Sequence, residues 1–130
     1  MIDGAEMRFF VPRMGRMVSY SFRWERCDLN IGEERAVASA SLDDPADRQL
    51  LEDEWSFPVA AVKEIQLVRR KRAIIWGEQA YYVNFILKGD GHDWMLMGFR
   101  EFRLTEAQFS RLEGFLKATP SLWERTKYKK

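Results

Sequence analysis

The chain has 130 residues, 46% of them hydrophobic, a composition that excludes a disordered polymer. Its 21 basic and 20 acidic side chains leave a formal net charge of +1, which excludes global steering toward nucleic acid or anionic lipid and demands a local patch for either. The lone Cys27 excludes an intramolecular disulfide and, with a single histidine, leaves little material for a zinc site or a Cys–His pair.

The N-terminal MIDGAEMRFFVPR lacks the apolar stretch of about 7–15 residues that a secretory signal needs. No run reaches the roughly 18 apolar residues of a membrane span. The chain therefore reads as one domain over residues 1–130 in a reducing, cytoplasmic setting. Its ends, 1–6 and 127–130, are expected to fray.

Residues 7–12, MRFFVP, predict a first strand ending before Pro12. MVSYSFRW, residues 17–24, alternates and predicts a half-buried second strand. Its apolar phase shifts by one residue before Cys27, Leu29 and Ile31, which predicts a β-bulge or tight turn near Glu25. RAVASASL predicts a return strand. Residues 43–55 predict a helix that opens on Asp44 as cap and Pro45 at the first position. Six acids against Arg48 make that helix acidic, either a solvated face or a contact surface.

VKEIQLV predicts a strand with Ile65 and Leu67 on one face, leading into Arg69-Arg70-Lys71-Arg72. On a regular strand Arg69 and Lys71 face one side and Arg70 and Arg72 the other. In AYYVNFILKGDGHDWMLMGF the pair Asp90-Gly91 predicts a two-residue hairpin turn, a register that sets Phe85 opposite Leu96 and Lys88 opposite Asp93. Residues 106–118 predict an amphipathic helix. Thr105 and Gln108 are spaced as a capping box, and Phe109, Leu112, Phe115 and Leu116 form the apolar stripe. Ser121 to Glu124 repeats the capping pattern and predicts a short final turn.

Catalytic chemistry finds little support. His92 in GDGHDW is explained by the turn, neighbouring carboxylates such as Glu52-Asp53-Glu54 make poor acid–base pairs, and no Gly-rich loop cradles a phosphate. The reading is of a non-enzyme without cofactor or metal.

The order of elements resembles the pleckstrin-homology-like fold, in particular its small bacterial members. The local likeness is FPVAAVKEI, residues 57–65, a Pro followed by spaced aliphatics at a strand entry; the resemblance spans about residues 55–118. It implies an α+β fold: a curved, mainly antiparallel sheet or partly open barrel of six to seven strands, with one short inserted helix and the C-terminal helix packed on the sheet. In lipid-binding members, cations near the first loop and on the second strand hold inositol phosphates, and Arg13, Arg16 and Arg23 occupy comparable places.

MGFREFRLTEAQFSRLEGFLK, residues 97–117, is in turn similar to the closing strand and helix of PilZ domains, which bind cyclic di-GMP. Against that family's Arg-x-x-x-Arg pair the chain has Arg13-Met14-Gly15-Arg16, one residue short. Against its Asp-x-Ser-x-x-Gly turn it has Asp28-Leu29-Asn30-Ile31-Gly32.

The functional expectation is a non-catalytic interaction module that binds a protein partner with an acidic surface, or another anionic surface, through a basic strand edge. Its binding residues are Arg69, Arg70, Lys71, Arg72, Arg13 and Arg16. The alternative is a nucleotide or nucleic-acid binder using the same cations; anionic lipid is a further option.

Overall fold

The computed structural model describes residues 2–13, 19–71, 79–88 and 100–129, with the side chains of 10–13, 19–22, 54 and 71 left aside. In chain order the elements are β1 (Ile2–Arg13), β2 (Ser19–Ile31), β3 (Arg35–Ser39), α1 (Pro45–Glu54), β4 (Ser56–Pro58), a 3-10 turn at Val59–Ala61, β5 (Val62–Lys71), β6 (Gln79–Leu87), β7 (Arg100–Leu104), α2 (Glu106–Lys117), α3 (Pro120–Trp123) and β8 (Thr126–Lys129). The fold is α+β. The strands form one open mixed sheet in the order β4-β3-β2-β1-β7-β6-β5-β8.

Every neighbouring pair is antiparallel except β5–β8, which is parallel. Parallel pairing requires a crossover, and α2 with α3 supplies it: the chain leaves β7, passes over two strands and lays β8 beside β5. Among the described residues the sheet has eight strands, where six or seven were expected.

Both ends that the sequence suggests would fray lie in this sheet. Ile2 is fully buried and pairs with Leu29, and Ile65 to Val68 pair with Thr126 to Lys129. The bulge lies on the other strand from the one expected. β2 runs past Glu25 without a break, while β1 spends three residues from Ile2 to Ala5 against two on β2 from Leu29 to Cys27. Gly4 absorbs the extra residue at φ 70°, where a residue with a Cβ is strained. The carboxylate of Asp28 accepts its N–H at 2.9 Å. The result is that Ile2 and Ala5, three apart, both face the core.

The phase shift in β2 has a different cause. Arg23, Cys27, Leu29 and Ile31 share the core side, whereas Trp24 points to the opposite face of the sheet, against Tyr82.

α1 starts as its residues dictate, with Asp44 accepting from the Ala46 N–H at 2.8 Å and Pro45 in the first turn. In α2, Thr105 and Gln108 form the reciprocal capping box, and Phe109, Leu112 and Leu116 are buried. Phe115 is only partly buried. α3 opens at Thr119-Pro120, two residues before the expected Ser121 cap. Phe102 sits mid-sheet, edge-on to Trp55 at 5.3 Å and to Phe85 at 5.9 Å, and joins the strands to the end of α1.

The register between β6 and its partner also differs from expectation. Phe85 pairs with Arg100 and Tyr81 with Leu104. A two-residue turn at Asp90-Gly91 would pair Phe85 with Leu96, so the described strands do not carry that turn's register. The turn itself, His92 and the Lys88–Asp93 pair lie outside the described residues.

Candidate functional site

Strand alternation divides the side chains between two faces. On the core and α2 side lie Met7, Phe9, Ile65, Leu67, Val83, Phe85, Phe102 and Leu104, all buried. The opposite face is built by a cross-strand row. Glu6 pairs with Arg26 on one side and Arg103 on the other, Arg103 with Tyr82, Tyr82 with Val68, and Val68 with Lys129.

The side chains of this row stack. Arg103 donates two hydrogen bonds to the Glu6 carboxylate, at 3.1 and 2.8 Å. Its guanidinium lies 4.3 Å over the Trp24 ring, and Trp24 meets Tyr82 at 6.1 Å. Arg70 lies 5.7 Å over the other part of the stack, the Tyr82 ring. The pairing with Glu6 raises the Arg103 pKa above its ordinary value. Arg–carboxylate forks and cation–π stacks of this kind fix orientation more than they add stability at a half-exposed surface.

A second row adds a polar ladder on the same face. Asn84, buried, donates to Gln66 at 3.2 Å; Gln66 donates to Glu64 at 2.8 Å; Lys127 reaches Glu64 at 3.2 Å. Arg8 and Glu101 close the row at 3.5 Å. The Gln66 hydrogen bond, with a contribution from Lys127, holds the Glu64 carboxyl below its ordinary pKa against an opposing effect of burial.

A carboxyl depressed on folding stabilises the fold above its unfolded pKa, and that contribution fades as pH falls through the folded value. Glu64→Gln is therefore expected to flatten the acid limb of a stability-against-pH curve below the usual carboxylate range and to leave the neutral limb's slope unchanged. Parallel curves for both proteins would contradict this role.

Of the expected binding residues, those described take separate places. Arg69 turns to the α2 side, 5.1 Å over the Phe109 ring and 4.0 Å from Glu113. Glu113 also holds Lys117 at 3.9 Å and accepts the Tyr128 hydroxyl, whose pKa burial and that bond push up. Arg70 turns to the opposite face, exposed, and no acid among the described residues forms an ion pair with it. Lys71 pairs through its backbone with Gln79, while Arg72 and Arg16 lie outside the described residues.

Arg13 pairs with Ser19 at the far end of β1. Taking the Glu6–Arg103–Tyr82–Val68 row as origin, Arg13 lies seven positions along β1 one way, and Arg70 two positions along β5 the other way. Arg23 faces the core side over Phe9 and bonds Glu25 and Asp47, the latter on α1.

β8 pairs with β5 along Ile65 to Val68, so the basic stretch begins at Arg69, just beyond the paired residues. The acidic helix α1 is matched by Arg23 through Asp47, while Arg69 finds its acid on α2. Trp24, Tyr82, Arg103 and Glu6 were not singled out by sequence as site residues. Their signal was the parity of Trp24 against Cys27 and the alternation in REFRL, where Arg103 stands between the buried Phe102 and Leu104.

Among the described residues no group of three His, Cys, Asp or Glu side chains could hold a metal ion. Burial, aided by the charges of Asp28 and Glu6, pushes the Cys27 thiol up to about 12, which leaves it protonated and unreactive at neutral pH. A cleft of about 450 Å³ adjoins the stacked row where β1, β6 and α2 meet, lined by Glu6, Tyr81, Arg103, Thr105 and Gln108. No described helix is long and apolar enough to cross a membrane. No family model, curated protein or solved structure matches the chain.

Proposed function

We propose that the chain is a non-catalytic interaction module of the pleckstrin-homology-like type that binds a protein partner through an acidic surface, using the face that carries Arg70. Two observations support the architecture in this reading: the strand order from β4 through β1, β7 and β6 to β5, and a helix directly after β7. β8 is an addition to it.

Arg70 carries the binding assignment. It extends the ordered stack of Trp24, Arg103 and Tyr82, it is exposed, and its charge has no ion-pair partner among the described residues. Arg69, one residue earlier, spends its charge on Glu113. Arg13 and Arg70 stand apart in register, which favours this reading over a single nucleotide held by both.

The test is a titration with an oligoglutamate peptide. Arg70→Glu is expected to weaken binding about three- to tenfold at low salt, added salt is expected to erase the difference, and the melting temperature is expected to stay within a degree or so. Equal binding by both proteins at low salt would remove Arg70 from the site.

A further inference from the structure

We infer that the C-terminal strand β8 is a docking edge, on which an extended acidic peptide adds as a ninth strand. The inference rests on the acidic-partner reading and names the partner's conformation and seat. β8 is the last strand of the sheet, and Lys127, Tyr128 and Lys129 are exposed. The Ile65 N–H donates to the Arg125 carbonyl at 2.9 Å, so in this parallel pair the odd residues of β8 turn their backbone groups to β5. The N–H and C=O groups of Thr126 and Tyr128 therefore point out of the sheet, where an added strand would meet them.

The chemistry of that strand follows from the side chains beside the edge. Lys127 is in register with Gln66 and Lys129 with Val68, so both stand on the face where Arg70 stacks on Tyr82. Lys127 pairs with Glu64, whose carboxyl also feels the charge of Lys129. An added strand repeats a given face every second residue, as the lysines do, and opposite charges directly across a ladder stabilise it. Alternating acids match the edge. A second copy of β8 would set lysine against lysine, which guards the edge against self-pairing.

The test uses a synthetic peptide of alternating Glu and Val, and the same peptide N-methylated on the amides that would face β8, which keeps its charge and removes its ladder donors. The first peptide is expected to slow hydrogen exchange at the Thr126 and Tyr128 amides about tenfold. The methylated peptide is expected to bind at least about tenfold more weakly and to leave those amides unprotected, and Lys127→Glu with Lys129→Glu is expected to abolish the protection. Equal affinity of the two peptides would overturn strand addition and leave the acidic-partner reading standing. Loss of protection at Leu67 and Lys127 on binding would also overturn it, since β8 would then be displaced rather than extended. Failure of both peptides to bind at low salt would remove the acidic-partner reading together with the inference.

Discussion

Phe102→Ala is expected to lower the unfolding free energy by about 3–5 kcal/mol, the range for truncating a fully buried Phe. Phe102 is wholly inaccessible and lies edge-on to both Trp55 and Phe85. Its strand, β7, is the link between β1 and β6, the two halves of the sheet. The cavity would open beneath that link, and neither large ring can collapse into it without leaving its own partner, Phe9 for Trp55 and Phe57 for Phe85. Urea unfolding checks this: the midpoint should fall with the slope unchanged. A loss below about 1 kcal/mol would show that the aromatic cluster is not the centre of the core.

Leu112→Ala should cost about 2–5 kcal/mol, and Phe115→Ala distinctly less although it removes a larger side chain. Leu112 is wholly inaccessible in the middle of α2, between Phe109 and Leu116, whereas Phe115 is partly exposed. The order of the two effects decides whether α2 presents the face described. An equal or larger loss at Phe115 would mean that the helix is rotated about its axis. Both measurements use the same denaturant titration.

The elements whose signals are local could be read from the chain. Asp44-Pro45 and the Thr105/Gln108 box act over three residues through backbone donors that every helix start leaves unpaired, so they hold whatever the tertiary context. The features that failed depend on partners distant in sequence. TKYK has no apolar alternation and becomes a strand because α2 and α3 carry it to β5. The start of β1 reads as polar with a glycine, yet the left-handed Gly4 lets Ile2 and Ala5 share a face.

The candidate site was legible to the same depth. Alternation correctly sent Arg69 and Arg70 to opposite sides of β5, which is a period-2 property of any strand. What each side offered was not legible, since Glu113 and Tyr82 are brought there by α2 and β6. Among the described residues the expected cations separate for the same reason: β1 and β5 place Arg13 and Arg70 at opposite ends of the sheet, and Arg69 and Arg70 take opposite faces of β5.

The central claim is that two adjacent arginines do different work, and charge reversal at each in turn tests it most directly. Arg69→Glu sets a second acid beside Glu113 and forfeits the contact with Phe109, so it should cost on the order of 1 kcal/mol of stability and leave oligoglutamate affinity close to native. Arg70→Glu should do the reverse, with native stability and weakened binding at low salt. If both reversals shift stability and affinity alike, the two cations form one undivided patch and the two-faced assignment of β5 is wrong.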